Sequence, residues 1–583
     1  MSDSPSVIPL SEARRRAKRA TPPPPPSPEV APDVTCLGHN KGRYFFAPRG
    51  TGQVSVFTSR ELSSLGTLIE LAPLEYWERE FPGPKGANIM AAANALVRTC
   101  QQMGIFDERR FRGRGACWDA GRLVLHLGDR LIADSQSVPV GEFDSHFIYE
   151  SMASLGIDPA APALTATEGG RFVDFCRELR WERPFMGTLL AGWVATAPIA
   201  GALPHRPHAW LTGQSGSGKS WLVSTVKLCL GKILIDFQST STEAAVRQTL
   251  AADALPVVFD EAEGDTKAAR ERRQQIIEYA RASSSEDAPP IRKGGHNGRP
   301  VEYYPRSPFF YSSINLGLQG EADERRTTVL RLLGREDGGE AATLARLDHF
   351  ERLKRHRAEV ITPDFPARLL ARAARNCAVT RKNAEIYTRA AAETLGSMGA
   401  AVQIGTLLAG AASLHHARIV TLEEARVFIA REGWVSEASG SQDAGLSDHE
   451  QLFKLICDSM TTVRLGNATG YDRTFGDLIV NMARLKTDEQ IPRDCADEHL
   501  RRSGLMVARG SEGRGGDLEQ WYCWIANQHY SLERMLANTR WGGRWADSLR
   551  RVPGAVRGLR PLRFGNSAKV RAVGVPVAAI GEM

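Results

Sequence analysis

HAWLTGQSGSGKSWLVSTVKLCLG, residues His208–Gly231, changes character twice along its length. His208–Thr212 is short, apolar and β-prone, Gly213–Gly218 carries three glycines, and the chain from Lys219 onward has helical spacing. Strand, glycine-rich turn and helix in that order open a nucleotide-binding α/β sheet. Gly213, Gly218, Lys219 and Ser220 match GxxxxGK[ST], with Gln214, Ser215, Gly216 and Ser217 completing the loop. In such a loop the glycines let backbone amides close around phosphate while the following helix presents its positive N-terminus. Lys219 is expected to meet the β and γ phosphates of ATP, and Ser220 to ligate magnesium.

The chain after the loop supplies the rest of a hydrolytic site. ALPVVFDE (residues 254–261) reads as a second buried strand ending in Asp260 and Glu261, and SPFFYSSIN (residues 307–315) as a third ending in Asn315. Alternation of strands with helices implies a mostly parallel sheet. Asp260 is expected to hold magnesium through water and Glu261 to polarise the attacking water. Asn315 could orient the same water, the alternative being a turn-forming asparagine. Arg325 and Arg326 precede the β-like TTVLRLL, and one of them can act as an arginine finger on a neighbouring subunit's γ-phosphate; a solvated arginine pair is the plainer reading. Between the second and third strands IRKGGHNGRPVEYYP (residues 291–305) offers Arg292, Lys293 and Arg299 around a glycine-rich turn. That charge suits a phosphate backbone, or else an ordinary basic surface loop.

In this order the motifs resemble superfamily 3 helicases, specifically the phage, plasmid and poxvirus primase-helicase family, over residues 213 to 333. The resemblance implies an AAA+-like core acting as a ring, and a hairpin at residues 291–305 that enters the ring's channel and grips single-stranded DNA through Lys293 and His296. RGRGACWDAGRLVLHLGDRL (residues 112–131) looks more loosely like the domain preceding the helicase in that family. No acidic triad or zinc-binding cysteine set of a primase precedes the loop, so any primase is expected to be separately encoded.

With 583 residues the chain must hold several cores, and 42% apolar with 24% charged residues is ordinary for a globular protein. The expected organisation is a basic, proline-rich disordered arm at 1–35, an accessory α+β domain at 36–160, and the ATPase core at 161–340. A helical domain at 341–436, a linker at 437–447 and a basic domain at 448–583 follow. Nine scattered cysteines without a CxxC pair suggest neither a disulfide framework nor a zinc ribbon. No apolar run approaching the roughly 18 to 20 residues of a membrane span, and no signal-peptide core, are recognised, so a cytoplasmic protein without a membrane partner is expected.

The net charge is +7, and residues 531–583 alone carry ten Arg or Lys against three Asp or Glu. Upstream of that tail, TFGDLIVNMARL and CADEHLRRSGLMVARG read as two helices, SEGRGGD as a loop and LEQWYCWIAN as a strand, which suggests a winged helix. The basic tail could clamp duplex DNA or dock a partner. The fold expected is thus an α/β P-loop NTPase core with an N-terminal α+β accessory domain and a C-terminal winged-helix-like domain. The function expected is that of a hexameric homo-oligomer that couples hydrolysis of ATP, with magnesium, to movement along single-stranded DNA in phage, prophage or plasmid replication. The rival is a DNA-binding P-loop switch, regulatory or defensive, that remodels complexes without unwinding.

Overall fold

The structure is a computed structural model describing residues 34–580 except 49, 261–265, 295–299, 315–317, 319–322, 324, 335–339, 396–397, 433–447, 466–468, 484–487, 489, 512–513, 537–538, 540 and 544. Residues 1–33 of the expected arm, the 437–447 linker, Glu261, His296, Arg299 and Asn315 therefore lie outside the described residues, whereas Val34 and Thr35, assigned to that arm, begin a strand. The chain divides into two compact units. One runs through Pro159 and includes Ala252–Ala254, and the other holds Ala160–Ala251 and everything from Leu255.

The first unit is α+β. Val34–Asn40, Arg43–Pro48 and Ser55–Thr58 form an antiparallel sheet packed with helix Ile89–Met103 through Phe46, Leu68, Trp77 and Leu96. Asn88 starts that helix by accepting the Ala91 amide on its side chain. Four further strands, Gly115–Asp119, Arg122–His126, Arg130–Ala133 and Gln136–Pro139, make an antiparallel meander. Its Trp-Asp-Ala-Gly stretch is a hairpin turn with Ala120 and Gly121 both at positive φ (48° and 84°). Asp119 is buried and accepts from Ser145 Oγ at 2.6 Å and Tyr149 OH at 3.1 Å, tying the meander to the following loop.

In the second unit α1 (Ala166–Glu178) opens with a capping box between Thr165 and Glu168, and α2 (Phe185–Thr196) is buried from Met186 onward. Phe185–Ala202 corrects the expectation about apolar runs. These eighteen residues, like Met398–His415, are long and apolar enough to cross a membrane. Inside the protein, however, 89% of the first window and 67% of the second are buried, so their apolar surface is spent on the core.

The central sheet has five strands: β1 (His208–Thr212), β2 (Ile235–Phe237), β3 (Val257–Phe259), β4 (Phe309–Ser313) and β5 (Thr327–Arg331). All its pairings are parallel, in the order β2-β3-β4-β1-β5. An α/β core with a parallel sheet is what the sequence predicts. Edge strand β2, unanticipated there, is only three residues long and buries Phe237 alone. Strands β1, β3 and β4 are buried throughout, as parallel strands covered on both faces must be. One face carries a stack of Trp210, Phe309 and Tyr311, with Trp210 and Tyr311 centroids 4.8 Å apart, and α4 (Glu243–Leu250) and α5 (Lys267–Ser283) contribute Val246, Leu250, Ile276 and Tyr279 to the same core. On the other, Phe310 meets Trp193 of α2 at 5.0 Å. The helix after β1, α3 (Lys219–Leu230), follows the glycine-rich loop directly.

Beyond the sheet come α6 (Glu340–Val360), α7 (Phe365–Leu395), α8 (Met398–His415) and α9 (Leu422–Arg431), helices where alanine and leucine recur at helical spacing. Helices α2 and α8 touch backbone to backbone. A Cβ on Gly192 would sit 2.0 Å from the Leu407 carbonyl oxygen, and one on Gly410 would sit 2.5 Å from that of Gly192.

Residues from 448 onward hold their own core, centred on Leu478, Leu500, Trp524 and Trp545. Helices Phe475–Met482 and Arg493–Arg502 and strand Trp521–Ala526 follow in the order read from the sequence, but the second helix stops at Arg502 and Leu505–Arg509, read as its continuation, is a strand antiparallel to Trp521–Ala526. Strands the sequence did not reveal join them, notably Ala572–Pro576, which pairs along Tyr522–Ala526, and the hairpin Met460–Leu465/Thr469–Thr474.

Candidate active site

Parallel register brings the chemistry of this chain to one edge of the sheet. Thr212 is level with Ser313 and Phe259 with Tyr311, so the chain leaves β1, β3 and β4 on the same side. Because β4 lies between β1 and β3, the glycine loop and Asp260 flank its end. Ligands of open α/β sheets bind at this carboxyl edge, where connections diverge. Here the divergence is at β1, whose neighbours are β4 and β5.

A cavity of about 630 Å³ opens there, lined by Ser215, Gly216, Gly218, Lys219, Ser220, Trp221, Ser239, Asp260, Ser312, Ser313 and Ile314. Gly218 adopts φ 97°, ψ 10°, the left-handed conformation that turns the loop into α3 and that glycine reaches without strain. Gly213 is needed for room, since a Cβ would lie 2.8 Å from Ser217 Oγ and 2.9 Å from the Leu332 carbonyl oxygen. Gly213, Gln214 and Ser217 do not line the cavity. They shape the loop, with the Ser217 amide donating to the Gln214 carbonyl at 3.2 Å. Lys219 Nζ donates to the carbonyls of Gly213 (2.7 Å) and Gln214 (3.0 Å), so the ammonium folds over the loop.

Asp260 is half-buried at the cavity wall, directly after β3, and its amide donates to the Phe237 carbonyl at 3.3 Å. The donor set suits a nucleotide with magnesium. The Ser220 hydroxyl and Asp260 carboxylate are the hard oxygen ligands that magnesium takes alongside phosphate, and the first turn of α3 turns amides toward an anion.

Sequence reading missed three groups. Ser312 and Ser313 are polar residues closing an apolar strand, a visible signal, and Ser313 Oγ accepts from Trp210 Nε1 at 2.8 Å. Trp221 also lines the cavity, yet its position on a helix after an apolar strand gives it the look of a core residue.

Arg325 and Arg326 are not in this cavity. They immediately precede β5, whose Thr327 is level with His208 at the start of β1, while Arg331 is level with Thr212. The pair thus lies at the opposite edge of the sheet from the loop, a strand length of about 13 Å away at 3.3 Å per residue. Arg325 is exposed and its side chain approaches Gly399 of α8, and Arg326 is half-buried.

The predicted hairpin is present as Ile291–Gly294 paired antiparallel with Pro300–Tyr303. Lys293 sits in its first strand, paired with Val301, and its ammonium lies 3.5 Å from Glu243 Oε2 at the start of α4. Glu243 also accepts from Arg247 Nε at 3.0 Å, and the Arg247 guanidinium lies 4.3 Å from the Tyr303 ring centroid. An ion pair and a cation–π contact therefore fasten both hairpin strands to one helix.

No protein-family model matches the chain, and no curated relative matches it. Among solved structures, one named "SCCmec type IV Cch - active helicase" aligns at 12% identity with a TM-score of 0.40, covering 95% of this chain and 97% of that one.

Proposed function

We propose that the protein is an ATP-hydrolysing DNA helicase or translocase of the superfamily 3, AAA+-like kind, working as a ring, plausibly a hexamer, on single-stranded DNA in phage, prophage or plasmid replication. The observation that carries the reading is the convergence of Lys219, Ser220 and Asp260 on one cavity at the carboxyl edge of a parallel sheet. Lys219 would leave the loop carbonyls for the β and γ phosphates, trading two bonds to neutral carbonyl oxygens for bonds to charged phosphate oxygens. Ser220 and Asp260 would hold magnesium, which supplies neutralisation of phosphate charge. Glu261 follows Asp260 directly and would take the proton of the attacking water as its oxygen bonds to the γ-phosphorus and the bond to the β-phosphate oxygen breaks.

Separation of the arginine pair from the loop supports the ring. A finger at the opposite edge cannot serve its own subunit's phosphates, whereas a head-to-tail neighbour could present it. The hairpin's attachment to α4 supports a DNA grip linked to the motor through Lys293 and, at the tip, His296. Two helices followed by an antiparallel strand pair support a winged-helix-like reading of the basic C-terminal region, suited to duplex DNA or a partner such as a separately encoded primase. A cytoplasmic location goes with that role.

The test is displacement of one strand of a forked duplex by the full chain with ATP and magnesium. Unwinding that needs hydrolysis is the expected result. DNA-stimulated hydrolysis with no displacement at any fork polarity would replace the helicase with a remodelling switch.

A further inference from the structure

Trp221, in the first turn of α3 and two residues beyond Lys219, lines the same cavity. Phosphates and magnesium ask for charge and oxygen, and an indole offers neither, so its place on the cavity wall calls for another explanation. Its ring is held from behind. The Arg357 guanidinium lies 4.6 Å from the ring centroid and is itself anchored on Thr225 Oγ1, one turn along α3, at 3.2 Å. Phe350 of α6 meets it edge-on at 5.4 Å and 66°, and Phe175 of α1 lies 6.2 Å away. A ring fixed by three elements is preorganised, and little rotamer freedom is lost when a flat ligand settles on it. The indole Nε1–H is buried and has no acceptor among the described residues.

We infer that Trp221 is the nucleobase platform of the site, taking the base of a purine nucleoside triphosphate against its cavity side while the glycine loop holds the phosphates. This rests on the nucleotide-binding reading above and extends it to selectivity. A larger π face stacks better, so purines are favoured over pyrimidines. Since Phe350 and Arg357 both belong to α6, the helix following the sheet, base binding also bears on how α6 sits over α3.

The experiment measures KM and kcat for ATP and CTP, and the inhibition constant of inorganic triphosphate, in the parent, Trp221→Ala and Trp221→Phe. Removing the platform should raise KM for ATP about tenfold, in line with the loss of one stacked base, with a far smaller fall in kcat. CTP should change less, so the ATP preference shrinks, and Phe should restore most of it. Inorganic triphosphate, which has no base, should inhibit parent and Trp221→Ala alike, which also reports an intact fold. An unchanged ATP-to-CTP ratio in Trp221→Ala overturns the platform and leaves the ATPase standing. Equal loss of inorganic triphosphate binding in both variants makes Trp221 structural and overturns it too. A parent that binds no nucleoside triphosphate at all overturns the underlying reading with it.

Discussion

At the scale of single residues, the loop's chemistry separates binding from bond breaking. In the proposed site Lys219 would supply the ammonium that meets the phosphates and Glu261 the carboxylate next to Asp260, so their losses should differ in kind. Lys219→Ala is expected to abolish ATP binding, seen as loss of signal with a fluorescent ATP analogue. Glu261→Gln keeps the shape but not the base, so ATP should still bind while hydrolysis falls a hundredfold or more, within the usual range of about 10² to 10⁴ for general base loss. Hydrolysis by Glu261→Gln at the parent's rate would remove it from that role. The places of Lys219 and Asp260 at one cavity were legible in the sequence because each comes after an apolar strand, and a strand end is where a parallel sheet offers polar groups. Trp221 was not legible, since an aromatic on a helix normally means core. Only its position on the cavity wall distinguishes it.

At the scale of elements, α2 and α8 pack backbone to backbone. Gly192 lets the two backbones meet, and an added Cβ would lie 2.0 Å from the Leu407 carbonyl oxygen, a backbone atom that cannot swing aside. Gly192→Ala gains helix propensity worth about 1 kcal/mol, but overpacking costs typically about 1–3 kcal/mol and occasionally more. With the intruded atom this close and immobile the clash should win, so the variant is expected to unfold at lower urea concentration. A midpoint equal to or above the parent's would mean the helices part freely. Helices α7–α9 and strands β1, β3, β4 and β5 could be read from periodicity because each is long or strongly apolar. Edge strand β2 could not, because three residues with one buried give no period. The antiparallel sheet at Val34–Thr58 escaped too, and its last strand has no buried residue to give a pattern. The hairpin was placed correctly along the chain, yet the partnership of Lys293 with Glu243 spans fifty residues and has no local signature.

At the scale of the whole molecule, two histidines make stability depend on pH. Burial pushes His208 down to about 3, against a favourable bond to the Ala280 carbonyl, and pushes His126 of the first unit down to about 4. His126 is held neutral by position as well: it meets the Glu150 carbonyl through Nε2 at 2.8 Å and accepts the Gly128 amide on Nδ1 at 3.0 Å. Both folded values lie below the ordinary 6.5, so the unfolded chain takes up protons first as pH falls. Stability from these groups is therefore complete above about pH 6.5 and is lost downward, at up to about 1.4 kcal/mol per pH unit for each histidine. The loss continues to about pH 4 for His126 and about pH 3 for His208. Urea titrations at pH 7.5, 6 and 5 should show falling midpoints, and equal midpoints at pH 7.5 and 5 would contradict neutral burial.

Strand β5 joins two ends of the molecule that chemistry keeps apart. Its exit runs beneath the glycine loop, where the Leu332 amide donates to the Thr212 carbonyl at 2.9 Å and Gln214 presses on Gly334, while Arg325 and Arg326 stand at its entrance. Extended peptide is nearly at full reach and has no slack to take up. A shift of the loop that pulls on Leu332 or Gly334 therefore has only the length of Thr327–Arg331 to cross before it reaches the arginines, with no slack to spend on the way.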